Sequence, residues 1–224
     1  MKLTLGEYNL IIQFHENQVC VLTVENPQSF LNILQNLEWQ CRGEEGTIVL
    51  SEEGAILPMM NQIEIIWNPL LVDINAKKIL NRLYQEMKSV ASEECCPEFR
   101  GIQQAMGQYL NTVGFKLPYD ITYNVEVDHL AIYKLCDVQL ELEEIDVQKR
   151  LIEYIKVLSM LCNLKLLVLV NIKSYLSNEQ LSELYKTAFY YKINVLLIES
   201  TQKERLEGEK QYILDHSDCL IELE

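Results

Sequence analysis

The feature that most constrains the fold is a pair of short apolar segments in the last third of the chain. Residues 164–170 read LKLLVLV and residues 194–199 read NVLLIE, as expected of strands buried on both faces of a parallel sheet. Between them, Ser177 precedes an amphipathic helical segment over residues 178–190. Strand, helix and strand within about 35 residues form a βαβ unit, which predicts a right-handed parallel crossover.

The first 75 residues read as further strands with one helix. Residues 8–14 and 19–24 flank the polar stretch from His15 to Gln18, a pattern that predicts a β-hairpin with a four-residue loop. The periodicity predicts a helix over 29–37, and strands over 47–50 and 63–67.

The middle of the chain is predicted to be mainly helical. The predicted helices cover residues 76–87, 99–113, 129–136 and about 145–161. Strict alternation over 119–127 predicts a short strand or extended segment between two of them. We therefore predict an α/β fold with a discontinuous sheet-based head domain of residues 1–75 and 165–224, and a helical subdomain of residues 76–164.

Charge is distributed unevenly over the 224 residues. The formal net charge is −14, which at first argues against binding to a polyanion such as DNA. Residues 1–75 hold 2 basic and 10 acidic groups, whereas residues 76–165 hold 11 and 13. Most of the positive charge therefore lies in the middle of the chain, which favours a regional interaction surface. Helices also mix charges on their solvent face for solubility alone.

Several function classes lack their sequence signature. No apolar run of about 18 residues is present, which argues against a membrane span. The N-terminus has no apolar signal region, and the seven cysteines have no zinc-finger spacing, so we expect a cytoplasmic protein with reduced thiols.

Nucleotide hydrolysis is also disfavoured by the motifs. The chain has no G-x-x-x-x-G-K-[ST] loop to hold phosphates and no G-x-G-x-x-G. The strand ending at Val170 is followed by Asn171, where a carboxylate would be needed to hold Mg²⁺. The G-x-S-x-G elbow of serine hydrolases is missing as well, so the motifs also disfavour that class of enzyme.

One polar segment has the residue types of a hard-cation site. Asp120, Thr122, Asn124 and Glu126 share one face of the alternating segment, and Asp128 and His129 follow. Same-face oxygens about 6.6 Å apart can share a Ca²⁺ ion with backbone carbonyls and water. The alternative is an ordinary solvated strand face.

Candidates for DNA contact are basic residues on the predicted helices. They are Lys77, Lys78, Arg82, Lys134, Lys149, Arg150 and Lys156. The last three lie on one long helix, where Lys149 and Lys156 are seven residues apart and face the same way. Helices also carry such lysines for solvation alone.

A set of co-linear segments resembles a known family. These segments are LLVDIN at 70–75 leading into Ile79 and Leu80, KLLVLVN at 165–171 followed by YLS at 175–177, NVLLIE at 194–199, and QYILD at 211–215. Their order and spacing over residues 65–224 resemble those of the small Csn-family (Csn-two type) CRISPR-associated proteins of type II-A loci.

The resemblance implies a fold and a function. It implies an α/β head reminiscent of a P-loop ATPase without the nucleotide site, together with a helical leg domain. It further implies a non-enzymatic homotetrameric ring that encircles double-stranded DNA from its ends and supports spacer acquisition in antiviral defence. The implied partners are the CRISPR integrase pair and the effector nuclease. The family's calcium-binding stretch falls on Asp120, Asn124, Glu126 and Asp128.

Two other functions stay open at this point. One is an acidic α/β scaffold that binds another protein and makes no nucleic-acid contact. The other is a degenerate NTPase-like enzyme, which would have to bind nucleotide measurably.

Overall fold

The computed structural model describes residues 1–141 and 146–223. Within these ranges the protein is an α/β structure with ten β-strands and six α-helices. The strands are β1 (Lys2–Leu5), β2 (Leu10–Gln13), β3 (Val19–Val24), β4 (Ile48–Glu52), β5 (Ala55–Leu57), β6 (Ile63–Ile66), β7 (Leu166–Val170), β8 (Asn194–Glu199), β9 (Glu209–Leu214) and β10 (Leu220–Leu223). The helices are α1 (Pro27–Cys41), α2 (Lys77–Glu94), α3 (Cys96–Gly114), α4 (His129–Leu135), α5 (Val147–Cys162) and α6 (Asn178–Tyr190).

The chain divides into two compact units. The first joins Met1–Ile74 to Glu143–Glu224, and the second is Asn75–Leu142. The sequence predicted the second boundary at residue 164, but the structure puts α5 in the first unit. The apolar stripe of α5 explains the difference, because Leu151, Ile155 and Leu158 are fully buried.

A six-stranded sheet with order β10-β9-β3-β8-β7-β6 forms the centre of the first unit. The strands from β9 to β6 are parallel to their neighbours, and β10 is antiparallel to β9. The predicted βαβ unit is confirmed: β7 and β8 pair in parallel, with Val168 opposite Leu196, and α6 lies between them in the chain. All five residues of β7 are buried, as an almost uninterrupted apolar strand requires.

The second sheet of this unit is antiparallel, with order β2-β1-β4-β5. The predicted hairpin of residues 8–24 is therefore wrong, since β2 pairs with β1 whereas β3 crosses to the parallel sheet. Burial explains the separation. Strand β2 alternates between buried and exposed residues, whereas all six residues of β3 are buried, as in a central parallel strand.

One face of the parallel sheet packs against the antiparallel sheet and α1. This core includes Cys20, Leu22, Val168 and Ile198 from the parallel sheet, together with Leu37 from α1. Successive strand residues point to opposite faces, so the neighbours of these residues face the other side. Side chains from α5 and α6 reach that side: the Tyr154 hydroxyl donates to Glu64 at 2.7 Å, and the Tyr185 hydroxyl donates to Glu209 at 2.7 Å.

The second unit consists of helices α2, α3 and α4. Helix α4 is joined to α2 by the Tyr133 hydroxyl, which donates to the Met87 carbonyl at 3.1 Å. The Tyr84 hydroxyl donates to the Val138 carbonyl at 2.9 Å. The alternating segment between α3 and α4 has no strand over residues 120–128, so the strand alternative of the prediction is wrong.

Candidate nucleic-acid interface

Two of the predicted DNA-contacting residues lie at one hollow in the helical unit. Arg82 on α2 and Lys134 on α4 line a hollow of about 300 Å³. Its other lining residues are Asn81, Tyr84, Gln85 and Leu130, so none of them is a carboxylate. We call this feature the Arg82–Lys134 hollow. Two cations and two amides without a carboxylate suit an anion such as a phosphate group.

Helix α2 extends this positive surface toward its first turn. Lys77 and Lys78 are exposed at the start of the helix, and Arg82 is exposed one turn beyond Lys78. Residues four apart on a helix are neighbours, so Lys78 and Arg82 lie on one face. The structure therefore collects four of the seven predicted residues, those on α2 and α4, in one unit.

The other three predicted cations belong to α5 in the first unit. The Arg150 guanidinium donates to the Leu70 carbonyl at 3.2 Å, and the Lys156 ammonium pairs with Glu153 at 2.5 Å. Lys149 is exposed, and its backbone amide is capped by the Asp146 carboxylate at 2.9 Å. Two of these three residues thus already have partners within their own unit, which weakens their availability for phosphate.

The segment predicted to bind calcium is exposed and partly occupied by protein groups. Asp120, Asn124, Glu126 and Asp128 are all exposed. The Asp128 carboxylate pairs with the Lys88 ammonium at 3.2 Å, and the Asn124 side-chain oxygen accepts from the Glu126 amide at 2.8 Å. Among residues 1–141 and 146–223, His, Cys, Asp and Glu side chains form no group of three that could hold a metal ion. As arranged here, the four residues do not fit a preformed calcium site.

The carboxyl ends of β7 and β8 are joined by hydrogen bonds to the side-chain amide of Asn171. Asn171 has a left-handed backbone conformation with φ of 52°, which asparagine tolerates well. Its side-chain oxygen accepts from both the backbone amide and the hydroxyl of Ser200, at 2.8 and 3.0 Å. Asn171, at the position where a Mg²⁺-binding carboxylate would be needed, therefore joins the ends of the two strands.

A buried polar network lies beside this point. The Lys173 ammonium pairs with the Glu209 carboxylate at 2.7 Å, and the two side chains are 4% and 0% exposed. Glu209 also accepts from the Tyr185 hydroxyl and, at 2.9 Å, from the Leu206 amide. Lys173 donates a further bond to the Glu204 carbonyl at 2.8 Å, so the lysine joins the residues before β9 to the sheet. We call these groups, together with Glu199, the Lys173 network.

Glu199 is the least satisfied member of the Lys173 network. One of its carboxylate oxygens accepts from the Lys173 backbone amide at 3.1 Å, and the other is buried without a hydrogen-bond partner among the described residues. Burial raises the pKa of Glu199, while the amide bond and the Lys173 charge act in the opposite direction. Burial and the adjacent Glu209 carboxylate likewise raise the pKa of the Tyr185 hydroxyl.

Sequence reasoning missed the Lys173 network. Lys173 and Glu209 are 36 residues apart, and no local spacing relates them. The sequence offered one indication of this network, the glutamate that ends the apolar segment NVLLIE. A charged residue at the end of a buried strand needs a partner.

The fold and the site define a class of protein: an α/β unit without phosphate-binding or magnesium-binding motifs, carrying an inserted helical unit with an exposed basic face. The family model described as CRISPR-associated protein (Cas_Csn2) matches residues 40–218, and the chain belongs to that family. A curated relative named CRISPR-associated protein Csn2, from Enterococcus faecalis, is 21% identical over 201 residues, covering 88% of each chain.

The structure is also similar to a solved one from Pyrococcus furiosus, described as a putative ABC transporter ATP-binding protein. That similarity has a TM-score of 0.39 and 11% identity, and covers 91% of this chain and 88% of the other. Among the helices of the described residues, none is long and apolar enough to cross a membrane.

Proposed function

We propose that this protein binds double-stranded DNA without sequence preference, as a homotetrameric ring that supports spacer acquisition in CRISPR-based antiviral defence. In this proposal the protein is not an enzyme, and its role is to hold DNA. Family membership supports the CRISPR association, and the exposed cations of the helical unit support the contact with DNA.

The observation that carries the proposal is the Arg82–Lys134 hollow. A phosphate oxygen placed there would meet a guanidinium and an ammonium, with the amides of Asn81 and Gln85 as further donors. These groups contact the backbone of DNA, which carries no direct sequence information. Binding through them is therefore expected to be independent of sequence.

The acidic remainder of the chain sets the geometry of the complex. Residues 1–75 carry 2 basic against 10 acidic groups, so most of that surface repels phosphate. DNA is then confined to the basic faces, and a ring that places those faces inward would hold a duplex without coating the outer surface. A ring also requires a free end for loading, because a closed circle cannot be threaded.

The central experiment is a gel-shift competition between linear and covalently closed circular duplexes of the same sequence. We expect the linear duplex to compete strongly and the circle weakly. Equal competition by the two forms would contradict encirclement.

The residues are tested by comparing two double variants of the same charge change. We expect R82A/K134A to weaken binding and to lower the slope of log affinity against log salt by about 2, since each phosphate contact releases close to one counterion. The matched control is K186A/K192A, which removes two exposed lysines of the first unit. Equal effects of the two variants would show that only net charge matters and would reject the Arg82–Lys134 hollow as the contact.

The alternative is an acidic scaffold that binds another protein. The acidic first unit of the protein favours the scaffold function. Native mass spectrometry with a short duplex distinguishes the scaffold from the DNA-binding ring. A tetramer whose mass increases by one duplex supports the ring, whereas a mass unaffected by DNA supports the scaffold. We propose the CRISPR integrase pair and the effector nuclease as protein partners on the basis of family membership alone.

Calcium remains a prediction for the segment of residues 120–128. The Lys88–Asp128 ion pair would have to open before Asp128 could bind a metal ion. No step of the proposed function passes through calcium.

A further inference from the structure

The open edge of the antiparallel sheet has an unusual surface. Strand β5 is the last strand on that side of the sheet and has three residues. It pairs with β4 so that Glu52 faces Ala55, Ser51 faces Ile56 and Leu50 faces Leu57. The Ile56 side chain is 76% exposed.

The register leaves one set of backbone groups of β5 available. In an antiparallel pair, the residues that exchange both hydrogen bonds alternate with those that exchange none. The two-residue turn at Glu53 and Gly54 closes on the bonded pair Glu52–Ala55, so Ile56 directs its N–H and C=O away from β4. Outside the ladders, no backbone bond of residues 1–141 or 146–223 involves residues 55–57.

A hollow continues this edge where β5 ends. Strand β5 ends before Pro58, and a hollow of about 510 Å³ opens beside the first half of β4. Its lining is mainly apolar and includes Ile48, Leu57, Met59 and Met60. The Ile48 carbonyl, which would face a longer β5, accepts instead from the Gln40 side chain at 2.8 Å. Methionine side chains adapt to differently shaped apolar partners. We call the β5 edge and this hollow the β5 groove.

Carboxylates that form no ion pair with any described residue lie at both ends of the β5 groove. Glu44 lines the hollow and Glu45 follows it, while Glu53 lies in the turn that begins β5. None of the three has an ion pair within the described ranges, whereas the nearby Glu38 and Glu52 are paired with Arg42 and Lys165. A DNA backbone would be repelled by these carboxylates, and so would the same edge of a second copy.

We propose that the β5 groove binds an extended segment of a partner protein that has apolar residues flanked by lysine or arginine. The segment adds a strand beside β5, with its backbone bonded to Ile56 and one apolar side chain in the hollow. Its flanking cations pair with Glu53 at one end and with Glu44 and Glu45 at the other. Strand addition of this kind derives affinity from backbone bonds and specificity from pockets.

The test uses a fluorescein-labelled heptapeptide, KRVLVRK, and fluorescence anisotropy on the whole chain without DNA. A heptapeptide spans about 23 Å when extended, which is enough to reach both acidic ends of a three-residue strand and the hollow beyond it. We expect saturable binding, and no binding of the acidic peptide EEVLVEE. N-methylation of the central leucine should weaken binding several-fold, because it removes one backbone donor.

The matched protein variants are E44K/E45K and E93K/E94K. Both reverse two adjacent exposed glutamates, the first pair at the β5 groove and the second on α2. We expect E44K/E45K to weaken peptide binding at least about tenfold and E93K/E94K to leave it unchanged. Circular dichroism melting of both variants checks that the fold is retained.

Three results would overturn the proposal. The first is the absence of binding up to about 1 mM peptide, where even a weak specific contact is measurable. The second is equal weakening by the two glutamate variants, which would show unspecific attraction. The third concerns the variant Ile56→Arg, which places a charge on the β5 edge. If native mass spectrometry gives a smaller assembly for this variant than for the wild type, a second copy of the chain already covers the β5 edge.

Discussion

Replacing Lys173 by methionine is predicted to destabilise the first unit strongly. The ammonium is 4% exposed and pairs at 2.7 Å with a carboxylate that is fully buried. Lys173→Met keeps most of the side-chain volume but removes the cation that pairs with the Glu209 carboxylate. Among the described residues, the Tyr185 hydroxyl and the Leu206 backbone amide remain as hydrogen-bond donors to that carboxylate. It also removes the positive charge that favours ionised Glu199.

The magnitude follows from the burial of both groups. Removing one partner of a buried ion pair costs about 3–5 kcal/mol, because the other charge stays buried without compensation. For a domain of 150–250 residues each kcal/mol lowers the melting temperature by about 2–4 °C, so the expected fall is about 6–20 °C. The double variant K173M/E209Q should recover part of this loss, since it replaces the buried Glu209 carboxylate by a neutral amide.

The assay is thermal and urea unfolding followed by circular dichroism, with Lys186→Met as the control. Lys186 is exposed on α6, so its replacement should change the free energy of unfolding by less than about 0.5 kcal/mol. The reasoning is refuted if K173M costs no more than this control. It is also refuted if K173M/E209Q is as unstable as the sum of the two single variants, because the pair would then be uncoupled.

Three further predictions concern pH, DNA and calcium. Burial raises the pKa of Glu199 above its ordinary value of 4.5. The stability that Glu199 contributes is therefore full below pH 4.5 and is lost as pH rises through the raised pKa. The melting temperature of Glu199→Gln should accordingly fall less steeply between acid and neutral pH than that of the wild type. The triple variant K149A/R150A/K156A is expected to weaken DNA binding less than R82A/K134A, because two of its three cations already have protein partners, and a larger effect would place the main contact on α5. If residues 120–128 bind calcium, adding EGTA should lower the melting temperature of the calcium-loaded protein, and an unchanged midpoint and oligomer mass would exclude a stabilising ion.

The fold was predictable where burial was uniform over a whole element. The segments that became β7, α6 and β8 were recognised because continuous apolar strands and a capped amphipathic helix are strong local patterns. The Ser177 side chain accepts from the backbone N–H of Gln180, and the Gln180 side chain accepts from the backbone N–H of Ser177. This is a capping box, which the serine at the start of the helix indicated.

Strand partners were not predictable from local patterns. The segments that form β2 and β3 have the spacing of a hairpin. Strand β3 is nevertheless buried on both faces and pairs in the parallel sheet, whereas β2 is buried on one face and pairs in the antiparallel sheet. The composition of a single strand indicates this difference only weakly. Strands β1 and β5 have four and three residues, too few to show periodicity.

The candidate site was predictable only as residue types. Positive charge in the middle of the chain was visible in the sequence, but the meeting of Arg82 and Lys134 depends on the packing of α2 against α4. For the same reason the sequence did not distinguish the basic residues of α5 from those of α2 as candidates for DNA contact, because both helices carry similar charges. Whether a cation is already bonded within the fold is a tertiary property.

The position of β3 between β8 and β9 also determines when the protein can fold during synthesis. Cys20 pairs with Leu196 and Lys210, so β3 acquires both neighbours only after the ribosome has made β8 and β9. At about 5–20 residues per second the ribosome needs roughly 10–35 s to make the intervening chain. Throughout that time β3, which is apolar along almost its whole length, has neither of its sheet partners. This exposed strand is the segment of the nascent chain that chaperones would be expected to protect.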